Sequence, residues 1–279
     1  MIIMQFCSFV VGNERRTILP GRIIGEVVER LDVASMIDLV MLNGEADAVD
    51  SYDIGEVLLQ PPITRPSKII AVGLNFQKHI EEIGMEKPDE PLLFSKPSSA
   101  IVGPGQDIVL PDAIGQIDYE GEVALIIGRD ARSVEDGESN IFGYTCLNDV
   151  TARDIQKHDK DWTRAKGFDT FAPMGPTIST IRPDWIRTEL NGSEVQRSST
   201  DDMIFGCAEL VEKISAVMTL YPGDVISTGT PFGVGPLSPS DIVAVEADGI
   251  GRLENKVVRK RKTGDLYLER SEGTGRGLQ

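Results

Sequence analysis

The stretch that most constrains this chain is Asp118-Tyr119-Glu120-Gly121-Glu122, which runs directly into Val123-Ala124-Leu125-Ile126-Ile127. A strand alternates its side chains with period two, so Glu120 and Glu122 project to one face while Gly121 leaves the other bare. Two carboxylates side by side repel and raise each other's pKa unless a cation lies between them, and hard oxygen donors select Mg²⁺, Mn²⁺ or Ca²⁺. Asp149, at the end of the next strand-like run Phe142 to Leu147, offers a third ligand. The competing reading is a solvated strand face carrying two ordinary surface glutamates.

Composition narrows the setting. At 279 residues and 41% hydrophobic content the chain suits a packed globular core, as one large domain or a small one plus a large one. A formal charge of -16, from 44 acidic against 28 basic residues, disfavours nucleic acid and anionic membrane as partners. Cys7, Cys146 and Cys207 lie far apart and outside any C-x-x-C spacing, which argues against a disulfide framework or a zinc site and for core thiols in a reducing cytoplasm. The first residues lack a secretory pattern, and no run approaches the roughly 18 apolar residues of a membrane span. A cytoplasmic location is expected.

Along the chain, residues 1–62 read as a small module. Short apolar runs at 2–11 and 37–42 are separated by turns, with a helical piece near Gly25 to Leu31. Prolines 61, 62 and 66 mark a boundary. Lys68 to Gly73 reads as a buried strand leading into a helix from Phe76 to Ile83, with Asn75 as N-cap and Gly84 as C′ residue. On that helix His79 and Glu82 share a face, and a carboxylate beside an imidazole makes a general base for water; the alternative is an exposed ion pair. Arg153 offers a planar fork for a substrate carboxylate and Gln156 an amide, or both are structural. Lys166 can offset a cluster of carboxylates and stabilise an oxyanion. A helix is expected over Met203 to Met218, capped by Asp201 or Asp202. The strand through Val225 and Ile226 opens into a glycine-rich loop where Thr230 and backbone N–H groups approach a ligand. Residues 259–279 read as a charged, then glycine-rich, fraying tail.

Five motifs in order then resemble the fumarylacetoacetate hydrolase family. They are Val72-Gly73-Leu74-Asn75-Phe76-x-x-His79-x-x-Glu82, Asp118 to Glu122, Asn148 to Asp154, Trp162-x-x-Ala165-Lys166-x-Phe168-Asp169-Thr170, and Thr228-Gly229-Thr230-Pro231-x-Gly233-Val234-Gly235. The resemblance implies an α+β, mainly β fold: a mixed β-sandwich or β-roll catalytic domain over residues 66–258, usually dimeric, behind a small N-terminal domain. It also implies Glu120, Glu122 and Asp149 as ligands of Mg²⁺ or Mn²⁺, with Ca²⁺ as a third option. His79 with Glu82 would be the water-activating dyad and Lys166 its assistant, while Arg153, Gln156, Thr170 and Thr230 would line the pocket. Members that cleave fumarylacetoacetate itself carry a further Asp where this chain has Val72, so the likeness is to the broader branch acting on small 2-oxo acids. The expected reaction is hydrolysis of a C–C bond in a β-diketo (acylpyruvate-type) acid through an enolate stabilised at the metal. Decarboxylation, isomerisation and dehydration by the same electron sink are the alternatives, and a metal-stabilised binding protein is the non-enzymatic one.

Overall fold

The computed structural model describes residues 4–12, 17–112 and 114–259, so the expected tail at 260–279 lies outside the described residues. The fold is mainly β. Its principal sheet has 12 strands, running in order through Ala48–Asp53, Val27–Leu31, Leu19–Ile24, Gln5–Val11, Ala172–Ser179, Ile141–Asn148, Gly121–Ile127, Val225–Ser227, Ile69–Gly73 and Leu92–Lys96, with two short strands paired beside this path. A five-stranded sheet is built from Ser193–Ser199, Trp185–Leu190, Ile242–Ala247, Gly251–Arg259 and Ile108–Leu110. Thr151–Ala152, Ile117–Tyr119 and Gly235–Pro236 form a third, small sheet.

The run after the acidic motif lies centrally in the principal sheet because both of its faces are buried. Val123, Leu125 and Ile127 pack with Ile186, Val245 and Leu253 of the second sheet and with Leu210, Val211 and Ile214 of the helix Cys207–Val217. Ala124 and Ile126, of opposite parity, pack with Phe6, Leu39, Val40, Met174 and Ile178. A strand covered on both sides needs a continuous apolar run rather than an alternating one, which is what residues 123–127 supply.

The first sixty residues join this sheet directly, with Gln5 opposite Ser179 and Phe6 opposite Ile178. Two local expectations exchange identity there. Val27–Leu31 is a strand in a hairpin with Leu19–Ile24, turned at Gly25 with φ 61°, because the β-branched Val27 and Val28 favour a pleated surface. The stretch near 37–42 is instead the helix Met36–Met41, N-capped by Ser35, whose hydroxyl accepts from the Asp38 amide. Two expected helix caps also differ. The second helix is Gln77–Ile83 with Phe76 at the N-cap, and Asn75 is fully buried, its side chain bridging the Phe205 backbone and the Thr228 carbonyl. Gly84 does close that helix, with φ 68°. The helix expected from Met203 begins at Cys207 behind Gly206, since Asp201 pairs with Arg182 and Asp202 accepts from Ser198.

Candidate metal and substrate site

The acidic motif breaks at its middle. Ile117–Tyr119 belongs to the small sheet and Gly121–Ile127 to the principal one, so Glu120 stands where the chain passes between them. Its amide donates to Asn148 Oδ1 at 3.0 Å, and its carbonyl accepts from the Asp149 amide at 2.8 Å. These bonds fix the two acidic residues against each other. Gly121 is required here by close approach, because a Cβ would stand 2.0 Å from Thr188 Oγ1 on the second sheet. Glu122 opens the principal strand and is met by Ser227 Oγ at 2.5 Å and by the Gly229 amide at 2.9 Å. Gly229 presents that amide at φ 95°, a conformation that side chains resist.

Among the described residues, Glu120, Glu122 and Asp149 form one group, all buried, whose donor oxygens lie within 4.8 Å of one another. Two buried lysines and a partly buried arginine stand around them. Lys166 Nζ lies 2.8 Å from Glu120 and 2.7 Å from Asp149; Lys96 Nζ lies 2.5 Å from the other Asp149 oxygen; Arg153 Nη2 lies 2.5 Å from Glu120. Burial alone would raise the Glu120 carboxyl, but Lys166 and Arg153 outweigh it and hold the group at about 2. Glu122, held by neutral donors, goes the other way: burial first, then the charges of Asp149 and Glu120, push it well above the usual carboxylate range. Burial pulls the Lys166 ammonium down, yet Asp149 and Glu120 leave it raised. This donor set fits a hard divalent cation. Three clustered carboxylate oxygens match its ligand preference, and the strained Glu122 is the group such a charge would relieve.

Of the ten residues singled out from the sequence, all but Thr170 border one cavity of about 530 Å³. His79 Nδ1 is 3.0 Å from Glu82 Oε2, while the other Glu82 oxygen accepts from the Gly233 amide at 3.0 Å. The Gly233 carbonyl in turn accepts from Tyr119 Oη at 3.0 Å, so the glycine-rich loop ties the His–Glu pair to the acidic motif. Two side chains are less free than expected. Arg153 spends Nε on Asp118, Nη1 on Gln156 Oε1 and Nη2 on Glu120, so its fork is occupied within the protein. Thr230 Oγ1 donates to the Gly121 carbonyl and accepts from Gln196 Nε2. Thr170, with φ 71°, accepts from the Val109 amide and does not border the cavity.

Sequence reasoning passed over Lys96. It closes the strand Leu92–Lys96 beneath the cluster, donates to the Lys166 carbonyl at 2.5 Å, and its side chain is fully buried. Its ammonium is lowered by burial and by neighbouring Lys166, against the pull of Asp149. Removing one partner of a buried ion pair strands the other, at about 3–5 kcal/mol. Lys96→Met is therefore expected to lower the melting temperature in chelator by roughly 10 °C, with Lys96→Met/Asp149→Asn regaining part of the loss. Melting of the single variant within a degree or two of wild type would contradict the buried pair.

Comparison with known proteins agrees with this architecture. The model of the fumarylacetoacetate hydrolase C-terminal family matches residues 68–258. A mitochondrial oxaloacetate tautomerase of Bos taurus is 40% identical over 220 residues, 73% of this chain and 70% of the relative. The crystal structure of a 5-carboxymethyl-2-hydroxymuconate delta-isomerase from Mycobacterium smegmatis superposes with a TM-score of 0.81 at 39% identity, covering 92% of this chain and 100% of that one. A maleylpyruvate hydrolase from Sphingobium sp. SYK-6, solved with manganese(II) and pyruvate, gives 0.75 at 30% identity over 92% of this chain and 100% of that one. The chain belongs to the fumarylacetoacetate hydrolase family.

Proposed function

We propose that this protein is a divalent-metal-dependent hydrolase that cleaves a C–C bond in a small acylpyruvate-type 2-oxo acid, with Glu120, Glu122 and Asp149 holding Mg²⁺ or Mn²⁺. The observation that carries this reading is the shared cavity: a buried three-carboxylate cluster and a His–Glu pair border the same space. A divalent ion there supplies Lewis acidity toward the 2-oxo and carboxylate oxygens of the substrate.

The chain's own groups do the rest. Glu82 accepts from His79 Nδ1–H, which leaves the Nε2 lone pair as the base that takes a proton from water. The Gly233 amide keeps the Glu82 carboxylate oriented for that task. Lys166, between Glu120 and Asp149, balances their charge and supplies a positive field for the electrons released as the C–C bond breaks. Arg153 works as a positioning residue on Glu120, and Gln156, whose Oε1 accepts from Arg153, keeps its amide N–H groups for the substrate.

Tautomerisation of a 2-oxo diacid is the second reading, favoured by the 40% identity to the bovine oxaloacetate tautomerase. It needs proton transfer at the carbon beside the 2-oxo group and no bond cleavage. The two separate in one experiment: Mg²⁺- or Mn²⁺-supplemented turnover of acetylpyruvate, read by released pyruvate, beside enol-to-keto conversion of oxaloacetate. Pyruvate release that chelator abolishes is the expected result. Oxaloacetate conversion with no pyruvate release would replace the hydrolase reading by the tautomerase one.

A further inference from the structure

Gly121, between Glu120 and Glu122, is only half housed in its sheet. Asn148 lies opposite it on one side, while on the other Val225–Ser227 pairs with Ala124–Ile126 and stops short of it. Side chains complete that edge. The Gly121 amide donates to Gln196 Oε1 at 3.0 Å, its carbonyl accepts from Thr230 Oγ1 at 3.0 Å, and Gln196 Nε2 donates to Thr230 Oγ1 at 2.9 Å, closing a ring. The second Nε2 hydrogen goes to the Pro231 carbonyl at 2.9 Å. Gln196, 1% exposed, therefore has its carbonyl oxygen and both N–H groups engaged. A backbone N–H only donates and a backbone carbonyl only accepts, so answering both from one side chain requires a group that does each. Gln196 reaches this place from another sheet. It lies on Ser193–Ser199, the edge strand of the five-stranded sheet, where the pairing with Trp185–Leu190 slips: Thr188 is opposite Gln196 but Glu189 is opposite Glu194, which leaves Val195 without a partner. Such a bulge bends the strand and re-aims the side chain beside it. The glycine-rich loop runs directly over the bulge, since a Cβ on Gly233 would stand 2.2 Å from the Val195 carbonyl.

We propose that Gln196 is a positioning residue for the reaction: seated beside the bulge, it fixes the loop at 230–233 against Gly121 and so sets where the His79–Glu82 pair stands relative to the carboxylate cluster. The connection is continuous. Gln196 holds Thr230 and Pro231, and two residues on, the Gly233 amide holds Glu82, which in turn orients His79. Gln196 does not border the cavity, so its effect reaches the reaction through the loop. Displacement of a reacting group by about 1 Å can cost about 100-fold in rate without preventing the substrate from binding. The inference rests on the hydrolase reading above, in which His79 activates water at a distance from the ion.

The test is a double-mutant cycle in the full chain with Mn²⁺ and acetylpyruvate, combining Gln196→Met with His79→Ala. Methionine keeps the length of glutamine and lacks its N–H donors and its carbonyl acceptor. Gln196→Met alone is expected to lower kcat for pyruvate release about 10- to 100-fold, with KM and Mn²⁺ affinity within about threefold of wild type. Added to His79→Ala it is expected to cost nothing further, because the group it positions is already gone. Gln196→Glu is the second variant: its carboxylate still accepts from the Gly121 amide but cannot donate to Thr230 or Pro231, and the same pattern is expected. A kcat within about twofold of wild type in the folded variants overturns the proposal. So does an equal loss in the His79→Ala background, or a loss of Mn²⁺ affinity that accounts for the lost turnover. Failure of both variants to fold also overturns it, since Gln196 would then serve the fold alone. Wild-type protein that binds Mn²⁺ yet releases no pyruvate overturns the hydrolase reading instead, and the role of Gln196 with it.

Discussion

Glu122→Gln is expected to abolish divalent-ion binding and metal-dependent turnover while leaving the ion-free protein as stable as wild type or more so. Glutamine reproduces the shape of a protonated glutamate, and burial, Asp149 and Glu120 shift this carboxyl toward that form when no ion balances them. The linkage sign follows from the raised pKa. The native state holds this proton where the unfolded chain, near the ordinary 4.5, has lost it. Its contribution to ion-free stability is therefore complete below that range and declines as pH rises through the folded value. Glu120 has the opposite sign: held at about 2, it stabilises above the ordinary range and loses that contribution only as pH falls toward 2. Thermal melts in chelator from about pH 5 to 8 should thus fall less steeply for Glu122→Gln than for wild type. Adding Mg²⁺ or Mn²⁺ at about 100 times Kd should stabilise wild type by about 2.7 kcal/mol, several degrees of melting temperature, and the variant by nothing. An undiminished ion-induced shift in Glu122→Gln would remove this residue from the ligand set.

The two halves of that argument were unequally legible in the sequence. Glu-x-Glu before a continuous apolar run announces a buried strand with two acids at its mouth, and the structure brings Asp149 to them as expected. What periodicity misjudged is how the pair comes together. Glu120 lies between strands of two sheets, and the bare face of Gly121 is filled by Thr188 from a third segment, a contact between residues 67 positions apart that no local pattern records. Lys96 was missed for the same reason. A lysine before a proline at the end of a short strand reads as a surface residue, and only the fold reveals that Asp149 and the Lys166 carbonyl enclose its ammonium. Asn75 shows the converse error. An Asn ahead of a helix is a sound N-cap by propensity, yet burial against Phe205 and Thr228 claimed its amide, since a buried polar side chain goes where its hydrogen bonds can be met. Arg153 borders the cavity, and its fork is spent on Asp118, Gln156 and Glu120, partners contributed by three-dimensional proximity.

His79→Ala should separate chemistry from metal binding. The imidazole is not one of the three clustered carboxylates proposed to hold the ion, so Mn²⁺ affinity and the ion-induced melting shift should stay at wild-type values. Loss of a positioned general base costs about 10²- to 10⁴-fold in rate, and pyruvate release from acetylpyruvate is expected to fall by that amount at saturating substrate. Glu82→Gln should lie between this variant and wild type. It keeps the ring but replaces the carboxylate that accepts from Nδ1, so Nε2 is less often the proton-accepting nitrogen, and the tie to the Gly233 amide persists through the side-chain carbonyl. The comparison also discriminates the two reactions. Cleavage requires a hydroxide delivered to a carbonyl remote from the acid head, whereas enol-to-keto conversion requires one proton on carbon. If His79→Ala lost pyruvate release yet retained oxaloacetate tautomerisation, the imidazole would be assigned to water and the carboxylate cluster alone would suffice for enolisation. Pyruvate release at the full wild-type rate in His79→Ala would mean that hydroxide arises elsewhere in the cavity, and the His–Glu pair would then be a structural tie between the Gln77–Ile83 helix and the Gly233 loop.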